Sequence, residues 1–214
     1  MATVYVGLGS NIDPEANLHL GVRELRARYG ELQLSAVYRG KAVGFEGEDF
    51  LNLVASFETD TSPAAVCDEI ELIHTLAGRD RNDGKWASRS LDIDLLLYDD
   101  LVIEEKPVHI PRNDVLEYSL VLRPLAELAP DLRHPVTGRT MLQHWQDFDA
   151  TSHTLEVVGV ILEGLEPRAL PADRAATVND DNLACYVSRV AHQVQHAAGN
   201  IVGRAGTLER NLAQ

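Results

Sequence analysis

The chain has 214 residues, 45% of them hydrophobic and 24% charged, which is the composition of an ordinary folded protein and excludes a disordered or fibrous one. A formal net charge of −14 argues against a general binder of nucleic acid or anionic membrane, because either needs a basic field. No stretch approaches the roughly 20 apolar residues of a membrane span, and the N-terminus lacks the basic flank and apolar run of a signal peptide, so a cytoplasmic location is expected.

Thr3 to Leu8 is β-branched, aromatic and apolar, which predicts a strand ending in a turn at Gly9-Ser10-Asn11. Leu18, Val22, Leu25 and Tyr29 recur at three- and four-residue spacing and predict a helix from Pro14 to Tyr29, with Asp13 as N-cap and Gly30 as stop. Leu32 to Tyr38 and Phe50 to Glu58 read as strands separated by a polar loop, Arg39 to Asp49, that carries Gly40, Gly44 and Gly47. Ser62-Pro63 opens a second helix on Val66, Ile70, Ile73 and Leu76, closed by Gly78. A basic loop, Arg79 to Ser90, leads into a strand from Leu91 to Tyr98.

This order of strand, helix, strand, strand, helix, strand predicts an α+β fold, the ferredoxin-like split βαβ sandwich, with helices packed on one face of an antiparallel sheet. Val108 to Pro111 reads as extended, Leu116 to Leu128 as a helix interrupted at Pro124, and His134 to Gly138 as a turn. The first domain is placed at residues 1–148. A small C-terminal extension at 149–214 comprises a strand from Thr154 to Leu162, a proline-containing linker from Glu166 to Ala176 and a helix from Asn182 to Ala198. Cys67 and Cys185 stand far apart in helix-like patterns and read as free thiols. The histidines are scattered, and His192 and His196, which have helix-face spacing, lack the neighbouring Glu of a zinc motif.

In Leu91-Asp92-Ile93-Asp94-Leu95, alternation puts Asp92 and Asp94 on one strand face and the three apolar residues on the other. Two like charges side by side are costly unless water screens them or a cation binds between them. Taken alone, Asp-x-Asp better describes a solvated strand face. Arg79, Arg81, Lys85 and Arg89 immediately precede it, so a metal-bridged triphosphate would meet carboxylates on one side and cations on the other. Oxygen donors of this kind suit Mg²⁺. The same cluster also fits a solvated loop paired to Asp80 and Asp83, although Trp86 in so polar a loop favours a planar partner. Gly7-Leu8-Gly9-Ser10-Asn11 lacks the third glycine of a dinucleotide fingerprint and the Gly-Lys-Ser/Thr of a P-loop, and reads as a strand-end turn.

Gly7-Leu8-Gly9-Ser10-Asn11, Phe50-Leu51-Asn52, Gly78-Arg79-x-Arg81, Trp86-x-x-Arg89-x-Leu91-Asp92-Ile93-Asp94 and Pro124-Leu125-Ala126-Glu127-Leu128-Ala129-Pro130 occur in one order over about residues 2 to 148. In these the chain resembles the 6-hydroxymethyl-7,8-dihydropterin pyrophosphokinases of folate biosynthesis. The resemblance implies transfer of pyrophosphate from MgATP to 6-hydroxymethyl-7,8-dihydropterin, giving AMP. Two Mg²⁺ ions would be held by Asp92 and Asp94, with Arg79 and Arg89 stabilising charge at the β-phosphorus. It further implies ATP contacts from Arg81, Lys85, Arg112 and Glu71, and pterin contacts from Asn52, Phe50, Trp86, Val43 and Leu120. Two loops, Gly40 to Asp49 and Asp80 to Ser88, would close over the substrates.

The chain departs from that pattern at Gly40-Lys41-Ala42 in place of a Thr-Pro segment, Ala87-Ser88 in place of Gly-Pro, and His74 in place of an acid. It departs again at Pro111-Arg112 in place of Pro-His, Tyr118 in place of an arginine, and Leu120 in place of a stacking phenylalanine. Two other readings follow from these departures. One keeps the ATP and metal site but uses a different pterin alcohol. The other is a non-catalytic ATP- or pterin-binding regulator, against which the retained Asp92, Asp94, Arg79 and Arg89 speak. The expected partners are ATP and a reduced pterin alcohol, with no nucleic acid or membrane, for a monomer or small homo-oligomer.

Overall fold

In the computed structural model of the chain, which describes residues 1–41, 47–78, 90–106, 108–149, 155–160 and 162, strand β1 (Ala2–Ser10) is an interior strand of the sheet, paired on both sides. It buries Val4, Val6 and Leu8 on one face and turns Tyr5, Gly7 and Gly9 to the other. The glycines expected to make a turn therefore lie inside the strand.

Helix α1 (Pro14–Tyr29) starts on a proline and buries Leu18, Val22 and Leu25. Asp13 stands at the N-cap, as expected, in a left-handed conformation, φ 41°, with its C=O accepting from Asn17 N–H at 3.1 Å, although its side chain makes no cap hydrogen bond. Gly30, at φ 79°, closes the helix with an N–H to Arg26 O bond of 2.9 Å. Gly21 lets α1 approach the sheet, since a Cβ there would meet Leu8 at 3.0 Å and Leu91 at 3.2 Å.

The expected strand at Leu32 to Tyr38 is two strands, β2 (Gln33–Leu34) and β3 (Val37–Gly40), both antiparallel to β4 (Phe50–Thr59). The break falls at Ser35, whose N–H donates to Val54 O and whose hydroxyl accepts from Val54 N–H, each at 2.9 Å. Helix α2 (Pro63–Leu76) is capped by Ser62 and buries Val66, Ile70, Ile73 and His74, with His74 rather than Leu76 completing the inner face. Strand β5 (Asp92–Tyr98) lies at one edge of the sheet, in the order β5-β1-β4-β3-β6, where β6 is Glu156–Val158.

The aliphatic side chains between α1, α2 and the sheet form the larger core, each contributing about 1.5–3 kcal/mol when fully buried. A second core covers the opposite face, so the molecule has helices on both sides and not on one. Here α3 (Asp114–Glu117), α4 (Ser119–Leu128) and α5 (Met141–Asp147) gather Val115, Leu122, Leu125 and Met141 over Val54, Leu96 and Leu97. The interruption expected at Pro124 falls instead at Tyr118, whose backbone is extended (φ −117°, ψ 125°), and Pro124 is buried within α4.

Strand β6 (Glu156–Val158) pairs with β3, and Leu162 is buried in the larger core, so the sheet continues past residue 148. All described residues belong to one unit, Met1–Leu165. The linker and helix expected beyond it lie outside the described residues. Among the described residues no helix is long and apolar enough to cross a membrane, and Cys67 is a half-buried free thiol.

Candidate active site

Antiparallel pairing sets Asp92 opposite Gly9 and Asp94 opposite Gly7, and on the other side of β1 it sets Gly9 opposite Asn52. Alternate residues of a strand share a face, so carboxylates, glycines and amide all look toward the layer of α3 and α4. The glycines leave a strip of bare backbone between Asp92 and Asn52. With two inter-strand steps of about 4.8 Å, that strip is about 10 Å wide. A Cβ on Gly9 would stand 2.6 Å from Asn52 Oδ1, so any side chain there would displace the Asn52 amide.

A cavity opens over this strip, lined by Phe50, Asn52, Asp92 and Asp94 from the sheet, Asp114 from α3 and Leu120 from α4. Five of the residues singled out by sequence, Phe50, Asn52, Asp92, Asp94 and Leu120, therefore come together. Asn52 Nδ2 is buried with no hydrogen-bond partner, a polar group whose burial is costly unless a ligand accepts from it. Leu120 lies directly over Gly40, where a Cβ would be 2.9 Å from Leu120 Cδ2, so two departures from the family pattern pack against each other.

Arg112 joins the acidic end of the cavity. Its Nη1 is 2.9 Å from Asp94 Oδ1, its Nε donates to Asp114 Oδ2 at 2.9 Å, and Nη2 bonds the same Asp114 oxygen. Burial alone would lower its pKa, but Asp94, Asp114 and Asp92 outweigh burial and raise it, so the guanidinium is held charged.

Behind the carboxylates, buried His74 reaches from α2 to the edge of β5. Its Nε2 accepts the Ile93 backbone N–H at 2.8 Å and lies 4.0 Å from Asp92 Oδ1. An accepting Nε2 places the imidazole proton on Nδ1, which faces Glu71 Oε1 at 3.5 Å. His74 thus fixes the segment between the two aspartates. Sequence reading noted only its departure from an acid; the signal for more was its position on the α2 face that covers the sheet. Glu71 itself is half-exposed beside His74 and does not line the cavity.

Sequence reading also missed the tethers of the surrounding loops. Ser10 Oγ donates to Ser90 O, and Asn11 Nδ2 donates to Glu48 O at 3.3 Å, so the end of β1 ties down chain on both sides of the cavity. Glu127 of α4 accepts from the Tyr38 hydroxyl and from Ala36 N–H at 3.2 Å, holding β3. Burial, with Glu127 beside it, raises the Tyr38 pKa and keeps the phenol a donor. Val43, Arg79, Arg81, Lys85, Trp86 and Arg89 lie outside the described residues.

Asp92 and Asp94, half-exposed on one face, supply only oxygen donors, and no group of three or more His, Cys, Asp or Glu among the described residues could hold a metal. That donor set fits Mg²⁺, which takes one or two protein carboxylates and completes its shell from phosphate and water.

The family model described as 7,8-dihydro-6-hydroxymethylpterin-pyrophosphokinase matches residues 5–130. The chain is 36% identical over 138 residues to the 2-amino-4-hydroxy-6-hydroxymethyldihydropteridine pyrophosphokinase of Aquifex aeolicus, covering 64% of this chain and 86% of that protein. It is 35% identical over 178 residues to the protein of the same name from Synechocystis, covering 81% and 91%. In fold it is similar to a Plasmodium falciparum HPPK-DHPS structure with pteroate, at a TM-score of 0.55 and 14% identity. That match covers 68% of this chain but only 42% of the longer one. On the family match over residues 5–130 and these relatives, the chain belongs to the 7,8-dihydro-6-hydroxymethylpterin-pyrophosphokinase family.

Proposed function

We infer that this chain transfers the terminal pyrophosphate of ATP to 6-hydroxymethyl-7,8-dihydropterin in folate biosynthesis, in the cytoplasm. The acceptor hydroxyl attacks the β-phosphorus, the bond between that phosphorus and the α,β-bridging oxygen breaks, and AMP leaves. The observation that carries the reading is the strip across the sheet, with two carboxylates at one end, an unpartnered amide at the other and bare glycine backbone between. Such a reaction needs alignment and charge neutralisation more than covalent help.

In this reading Asn52 Nδ2 donates to an acceptor on the pterin edge, its missing partner, and Phe50 and Leu120 bound the ring, with Trp86 and Val43 as further pterin contacts. Leu120 replaces an aromatic face, which removes about 1 kcal/mol of stacking from that wall. Asp92 and Asp94 hold two Mg²⁺ ions, which supply charge neutralisation and alignment to the triphosphate when bound. Arg79 and Arg89 neutralise the oxygens of the transferring group from the opposite side. Arg81, Lys85 and Arg112 contact the remaining phosphates, and Glu71 is a further ATP contact.

The test is the nucleotide product. Purified protein with ATP, Mg²⁺ and 6-hydroxymethyl-7,8-dihydropterin is expected to yield AMP in step with pterin consumption. Formation of ADP, or no nucleotide product, would overturn the assignment.

A further inference from the structure

Two carboxylates on one strand face repel each other, and something must offset that repulsion before any substrate arrives. Arg112 is placed to do so. Its backbone is anchored at the edge of the sheet by an N–H to Leu96 O bond of 3.1 Å, and its side chain forks between Asp94 and Asp114. The oxygen it engages on Asp94 is one of the donors a divalent ion needs. The Arg112 side chain is also 36% exposed, so it has solvent to turn into. It borders a second cavity, lined also by His109, Pro111, Asn113 and Glu117. A polyphosphate offers a guanidinium a better bidentate partner than a carboxylate shared with another acid.

We propose that Arg112 is a built-in counter-cation for Asp94: it holds the carboxylate against metal until nucleotide arrives, and then exchanges Asp94 for phosphate so that metal and nucleotide load together. This rests on the assignment of Asp94 as a metal-binding residue given above. Metal alone must compete with a resident positive charge, whereas metal with nucleotide meets a site from which that charge has been drawn off. Removing Arg112 therefore has opposite effects on the two. A merely structural role would weaken both or neither.

The experiment is Mn²⁺ binding followed by electron paramagnetic resonance of the free ion, on the full chain, with and without α,β-methylene-ATP. Without nucleotide, Arg112→Gln is expected to bind Mn²⁺ about tenfold more tightly than the unmodified chain, the effect of deleting one nearby charge in a partly solvated site. With the nucleotide analogue the same variant is expected to bind the metal complex more weakly. Arg112→Lys, which keeps the charge, is expected to stay close to the unmodified chain in the nucleotide-free titration. Unchanged or weaker nucleotide-free binding in Arg112→Gln, or no binding in either protein, overturns the proposal. Thermal unfolding checks that the variant is folded, and Arg112→Ala replaces it if it is not. The double variant Arg112→Gln, Asp94→Ala separates the two layers of inference. If the gained Mn²⁺ affinity survives loss of Asp94, the metal assignment is what fails; if binding needs Asp94 yet ignores Arg112, the counter-cation is.

Discussion

The two faces of the sheet treat charge in opposite ways. On the face covered by α1 and α2, charge is buried and fixed. Arg28, with its side chain 2% exposed, bonds Glu24 at 2.9 Å and Glu69 at 3.0 Å and so clamps the two helices together. Burial alone would raise the pKa of Glu24, but hydrogen bonds and charge from Arg28 and Arg23 outweigh it and hold the carboxyl below its usual range. On the face covered by α3 and α4, Asp92 and Asp94 stay half-exposed and Asp94 meets a guanidinium that is itself accessible. A clamp of the first kind resists exchange and serves stability. A pairing of the second kind can be exchanged for a ligand and serves chemistry.

The largest effect should come from the cavity face. Asp94→Ala is expected to lower the rate of AMP formation by about 10³-fold while leaving the unfolding temperature nearly unchanged; unaltered turnover would discard Asp94 as a reacting-site residue. Arg28→Met should do the reverse. It strands Glu69, leaves Glu24 to Arg23, and is expected to cost about 3 kcal/mol in denaturant unfolding, with turnover per folded molecule preserved. If that variant loses activity in the folded state, the division between the faces is too sharp.

Gly40→Val tests a place where the faces cannot be separated, since the added Cβ must push Leu120 into the cavity. A several-fold rise in KM for the pterin with little change in KM for ATP is expected, of the order of 1–2 kcal/mol for overpacking; equal effects on both substrates would mean that Leu120 does not border the acceptor. The smallest effect is in pH. Because the folded pKa of Glu24 is depressed, its contribution is fully present above the unfolded value of about 4.3 and is lost as pH falls through the folded one. The unfolding temperature should therefore hold from neutral pH to about 5 and fall below that, and Glu24→Gln should flatten the fall.

Much of this was legible in the sequence because it depends on local periodicity. The i, i+2 spacing placed Asp92 and Asp94 on one strand face, and the three- and four-residue spacing set α1 and α2 against the sheet. What was not legible depends on partners far away in the chain. Ser35 breaks a strand only because Val54 faces it, and Gly7 and Gly9 belong to a strand because β4 and β5 pair along them. Tyr118, rather than Pro124, separates two helices, which a local propensity argument ranks the other way. Asn52, Phe50 and Leu120 share a cavity that no spacing predicts, and the Arg112 link to Asp94 spans 18 residues, from β5 to the segment before α3.

The short strand β6 has a practical corollary. It occupies the outer hydrogen-bonding side of β3, with Arg39 paired to Glu156 at 3.3 Å and Arg26 donating to Leu162 O at 3.0 Å. A chain trimmed to the family motifs and stopped at 148 would bare that rim, leave Val37 and its neighbours uncovered, and invite copies to stick edge to edge. A minimal version fit for crystallisation or for inhibitor screening has to run through Leu162.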